Sequence, residues 1–148
     1  MAEHGAALRV QTKEVVRGLG RLGDSLADTR PILKNVGLYL AEISKQSFRD
    51  ATDPSTGQSW KPLSPAYREW KAAHGYSATP LTKTGQLRRS IHHMITGRSS
   101  VAAGTNVKYG PAHQFGGKLP KRPFLGASGR DMNEIQQIVA RWIARGAR

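Results

Sequence analysis

The sequence reads as a single α+β domain in which a small antiparallel sheet packs with two or three main helices. Three observations point to this. Residues 31–50 and 131–145 carry apolar side chains at spacings of three and four, the period of a helix. Residues 91–96 and 101–105 flank the polar turn Gly97-Arg98-Ser99-Ser100, as the strands of a β-hairpin do. The third is a thin apolar supply: about one residue in five of the 148 is Leu, Ile, Val or Phe, close to the ~20% line below which highly charged chains tend toward disorder. With 16 Gly and 8 Pro the chain is also loop-rich, so the core is expected to be completed against neighbouring subunits.

Taken in order, residues 8–26 place Leu8, Val15, Val16, Leu19, Leu22 and Leu26 on one helical stripe, weakened by Gly18, Gly20 and Gly23. Residues 1–29 are therefore expected to be an N-terminal helix or arm docked on a domain spanning 30–148. The next helix starts at Thr29, a suitable N-cap, with Pro31 in the first turn. Its apolar stripe is Ile32, Val36, Tyr39, Leu40 and Ile43, with Phe48 near the end. Turn formers then interrupt all periodicity until Ser64-Pro65, which opens a short helix that Gly75 terminates. Thr84 caps another turn carrying Leu87 and Ile91. After the hairpin, residues 104–129 form a long Gly/Pro-rich segment with a turn of helix at 110–115. Asp131 or Ser128 starts the last helix, which has Ile135, Ile138, Val139, Trp142 and Ile143 on one face.

Charge is the strongest compositional signal. The net charge is +13, from 23 Lys and Arg against 10 Asp and Glu. Between Glu69 and Asp131 there is no acid, while ten Lys and Arg occur. Like charges gathered without internal counterions imply an external anion or an acidic partner surface. Arg88, Arg89, Arg98, Lys118, Lys121 and Arg122 are the DNA-facing candidates, suited to phosphate contact without base reading. Tyr109, Phe115 and Phe124 lack the spacing of a base-stacking platform.

Several motifs fall short of the chemistry they suggest. Gly18-Leu19-Gly20-Arg21-Leu22-Gly23 has the literal dinucleotide-binding spacing but no strand before it and no βαβ unit around it. Lys83-Thr84-Gly85 lacks the companion boxes of the penicillin-binding serine enzymes. His92 and His93 point to opposite faces of a regular strand, and no further ligands stand at metal-binding spacing. Cys is absent, which excludes disulfides and thiolate chemistry. No catalytic residue, cofactor site or metal site is expected. Nothing resembles a signal peptide or a membrane span, so the expectation is a protein assembled in the cytoplasm where it is made.

A set of motifs in fixed order carries a resemblance: Phe48, Asp53-Pro54, Gly57, Trp60, Leu63-Ser64, Leu81, Thr84-Gly85, Leu87, Ser90-Ile91, Gly104-Thr105, Tyr109, His113-Gln114-Phe115-Gly116 and Arg122-Pro123-Phe124-Leu125-Gly126. Over about residues 30–145 the chain resembles the phage virion morphogenesis family, the tail completion proteins of Mu-type contractile-tailed phages. The resemblance implies a non-catalytic virion protein of the neck, at the head-proximal end of the tail. It implies a ring, commonly a hexamer, through which DNA passes, with tail-tube or head-connector proteins as partners. Trp60, Tyr109, Phe115 and Phe124 are the subunit-interface candidates, although Trp60 and Phe115 are equally well read as ordinary core aromatics. A free basic protein binding DNA without sequence preference is the alternative.

Overall fold

The computed structural model describes residues 28–145 and the backbone of residues 6–10. In chain order the elements are β1 (Ala6–Val10), α1 (Arg30–Asp50), α2 (Pro65–Ala73), α3 (Gln86–Ser90), β2 (His92–Gly97), β3 (Ser100–Thr105), α4 (Gly110–Phe115) and α5 (Gly129–Ala144). The sheet is antiparallel throughout, with β3 between β1 and β2. The hairpin expected at 91–105 is present, with a bulge between Ile95 and Gly97 at its turn.

One element differs from the sequence reading. Leu8–Val10, expected to open an amphipathic helix, lie in β1, where Leu8 pairs with Ala103 and Val10 with Val101. Strand pairing satisfies the backbone groups along the second edge of β3, a gain that the local helical period of this glycine-weakened segment does not reveal. The rest of the expected helix, residues 11–27, lies outside the described residues.

The 21-residue helix α1 is the spine of the domain. Toward its N-terminal end Ile32, Val36 and Leu40 pack with Val101 and Ala103 of β3 and with Ile135, Val139 and Trp142 of α5. Toward its C-terminal end Ala41 and Phe48 enter a second cluster with Trp60, Leu87, Ile91, Phe124 and Leu125. Gly37 marks the close crossing of helix and sheet: a Cβ there would stand 2.8 Å from His93 Cβ. The neighbouring His92 is exposed, as strand alternation requires.

The helix ends follow local chemistry, with one change. Thr29 sits at the N-cap of α1, but its hydroxyl donates to Arg98 O in the hairpin turn at 2.6 Å. Asp28 supplies the missing acceptor, taking the Arg30 N–H at 3.0 Å. Ser64 caps α2 by accepting from Tyr67 N, and Ser128 caps α5 in a reciprocal box with Asp131. Among the described residues no helix is long and apolar enough to cross a membrane.

Candidate functional site

The ordered motifs of the sequence converge on one extended segment, residues 121–127. Gln114 of α4 reads its backbone on both sides. Its Oε1 accepts from Phe124 N at 3.0 Å and Leu125 N at 2.9 Å, while its Nε2 donates to Leu125 O at 3.0 Å. Arg122 N donates to His113 O at 2.8 Å, and Ser44 Oγ of α1 donates to Phe124 O at 2.7 Å. From the other side the Trp60 indole N–H donates to Pro123 O at 2.7 Å. The strap is thereby bolted to α1, α4 and the 51–60 turn, and Phe48, Trp60 and Phe124 share ring contacts beneath it, Phe48 lying 5.6 Å from Trp60 and 5.5 Å from Phe124.

This construction corrects three of the sequence-based assignments. Arg122 is not a DNA-facing side chain. Only 7% exposed, it donates through Nε to Lys61 O at 2.8 Å and through Nη2 to Pro62 O at 3.2 Å. Two carbonyls converging from the 61–62 segment take up the guanidinium, and burial pushes its pKa down. Trp60 and Phe124, at 5% and 0% exposure, belong to the subunit's own core and offer no surface to a neighbour. Phe115 and Tyr109 do lie open, Phe115 at 69% exposure, and Tyr109 donates through its hydroxyl to Gln86 Oε1 at 3.2 Å.

The remaining basic candidates fall in three places. Arg88 and Arg89 of α3 share a shallow hollow with Lys45 and Gly85, and Arg89 Nη1 holds Thr84 O at 2.9 Å. Arg98 projects from the hairpin turn, and Lys118 and Lys121 are exposed on the loop after α4. Among the described residues, no group of three or more His, Asp or Glu side chains is arranged to hold a metal ion.

A feature that the sequence reading missed lies around α2. The buried side chain of this helix is Lys71, while Tyr67 and Trp70 are exposed. The Trp70 ring is stacked 4.1 Å from His74, 5.8 Å from Tyr67 and 6.0 Å from Tyr76, with Lys83 Nζ 5.0 Å above it. The signal was present as Tyr67, Trp70 and His74 at spacings of three and four, which put three rings on one helix face. Beside this array runs a groove of about 890 Å³, walled by the 61–65 segment and α2 on one side and by α3, α4 and residues 119–122 on another. Every charged residue lining it is basic: Lys61, Lys71, Lys83 and Arg122. Lys71, 1% exposed, donates to Thr79 O at 3.0 Å, and burial followed by the Lys83 charge lowers its pKa. His113 Nδ1 is buried in the same wall without a hydrogen-bond partner. Its pKa is lowered by burial and secondarily by Arg122.

With these arrangements in place, comparison with known proteins assigns the chain. The model of the phage virion morphogenesis family matches residues 10–144. The chain belongs to this family. One relative, the Mu-like prophage FluMu G protein 2 of Haemophilus influenzae, is 27% identical over 135 residues, covering 86% of this chain and 87% of the relative. No solved structure matches. The family match spans the strap and the groove, including Arg122, Trp60 and Phe124, whose contacts here are internal. Family membership supports a structural or assembly role in the phage virion.

Proposed function

We propose that this protein is a non-catalytic subunit of the phage neck that completes the tail and joins it to the head. It assembles with copies of itself, as a hexameric ring, around a lumen that the genome crosses. The observation that carries the reading is the acid-free interval between Glu69 and Asp131 in a morphogenesis-family chain, of whose cations Arg88, Arg89, Arg98, Lys118 and Lys121 lie off the core. A lumen or rim beside a polyanion is a setting in which an excess of such cations is favourable.

Apolar surface supports the same reading. Met94 and Ile95 are exposed on β2, an edge strand among the described residues, and Phe115 and Leu119 are exposed nearby in sequence to the strap. Edges and apolar patches of this kind favour contact with another chain. When the contact is head-to-tail and its rotation closes, the product is a ring.

Native mass spectrometry and negative-stain imaging of the purified protein test the proposal. The expected result is a closed oligomer that survives raised salt. A strict monomer at tens of micromolar, even with tail tubes present, refutes it. A free DNA-binding protein would instead lose duplex affinity steeply with salt, with a log–log slope near −0.9 per phosphate neutralised.

A further inference from the structure

The groove beside α2 has properties that a DNA-contacting surface does not need. Its walls include Leu63, Leu81, Leu119, Pro62 and Pro120, with Lys71 and Arg122 buried among them and Lys61 and Lys83 exposed beside them. Phosphate contact is made by exposed Lys and Arg and gains nothing from an apolar floor. A pocket of this size that is apolar with a few convergent polar groups fits an apolar ligand oriented by charge. Its charged side chains carry one sign, so the complementary charge is negative.

We propose that this groove docks an acid-bearing apolar peptide segment of a different protein in the same assembly. Leucine-like side chains of the segment pack against Leu63, Leu81 and Leu119, and its carboxylates meet Lys83 and Lys61 at the mouth. His113, whose Nδ1 is buried and unpartnered in the wall, offers a further polar contact. That the donor is a virion protein rests on the proposed neck role; the chemistry of the groove does not.

Within residues 28–145 a second copy offers few donors: Asp28, Glu42, Asp50, Asp53, Asp131 and Glu134 already accept hydrogen bonds within their own subunit, which leaves Glu69. The aromatic array on α2 extends the docking surface: Tyr67 lines the groove, and Lys83 Nζ lies 5.0 Å over Trp70 and 5.4 Å over Tyr76. Lys83 is thus held at the boundary between the apolar groove and the stacked rings.

The test uses the full chain and three fluorescein-labelled, end-capped pentapeptides: Leu-Glu-Leu-Asp-Leu, its amide counterpart Leu-Gln-Leu-Asn-Leu, and Gly-Glu-Gly-Asp-Gly. Anisotropy titration is expected to give saturable binding of the first and about tenfold weaker binding of each of the others. Lys83→Glu, at an exposed position, is expected to weaken the acidic peptide by about tenfold or more, and Leu119→Ser to weaken the acidic and amide peptides alike. Equal binding of acidic and amide peptides, equal binding of the glycine peptide, or indifference to Lys83→Glu overturns the proposal. Displacement of the acidic peptide by a 20-base-pair duplex also overturns it and assigns the groove to nucleic acid. Loss of the protein's own oligomer in Lys83→Glu overturns it in favour of a self-contact. A monomeric protein that binds the acidic peptide selectively keeps the groove assignment while refuting the ring, so the two readings fail separately.

Discussion

Gln114 is the sharpest test of how this domain is held together. The side chain satisfies two N–H groups and one carbonyl of the strap, at 3.0, 2.9 and 3.0 Å. Gln114→Ala leaves all three without that partner, beneath a segment whose Phe124 is fully buried. An unsatisfied buried polar group costs about 1–3 kcal/mol. The site is only partly buried, so water recovers some of each, and about 3 kcal/mol for the three together is expected. For a chain of this length that lowers Tm by roughly 6–12 °C, at about 2–4 °C per kcal/mol. Gln114→Glu keeps an acceptor for both N–H groups but turns an anionic oxygen toward Leu125 O in place of the amide donor, so it too is expected to be less stable than the parent. Urea unfolding followed by circular dichroism, at one fixed protein concentration to hold any assembly constant, measures both. A Gln114→Ala variant within about 0.5 kcal/mol of the parent, the range of an ordinary surface substitution, refutes the strap argument.

Other expectations follow from single contacts. Arg122→Ala should destabilise by about 1.5–3 kcal/mol, the scale of hydrogen bonds from a charged group, in thermal melts; if it instead leaves stability intact and lowers DNA affinity, its inward placement is wrong. Gly37→Ala should destabilise by about 1–3 kcal/mol through overpacking against His93, although alanine favours a helix by up to about 1 kcal/mol; a stabilised variant in the same melts refutes the close crossing. Acid stability should depend on His113. Its pKa is depressed in the fold, so the unfolded chain binds the proton more readily below its ordinary value of about 6.5, and stability falls as pH drops from there through the folded pKa. His113→Gln is expected to flatten that limb of the stability profile measured by urea unfolding between pH 7 and 5; an unchanged slope contradicts it.

Helix starts, the hairpin and the family motifs were legible because they are local. Ser64 caps a helix through a residue three positions on, Ser128 pairs with Asp131 at the same distance, and the turn at 97–100 sits between two short apolar runs. Such interactions depend on neighbours along the chain, and residue type at fixed spacing is enough to announce them. The facing of individual side chains was not legible in this way. Arg122 was read as a surface cation because its sequence surroundings are basic, yet it is captured by carbonyls 60 and 61 residues away. Trp60 offered equal claims to core and interface, and Phe124 stood as an interface candidate, until Phe48, arriving from α1, packed against both. Leu8–Val10 fitted a helical stripe but pair with a strand more than ninety positions on. The groove, assembled from four separated stretches, has no trace in any one of them beyond three aromatic residues on a helix face. Periodicity, capping and charge distribution are written into short stretches of chain. Burial, by contrast, is set by which distant groups come to lie alongside, and that depends on the closed packing of the whole domain.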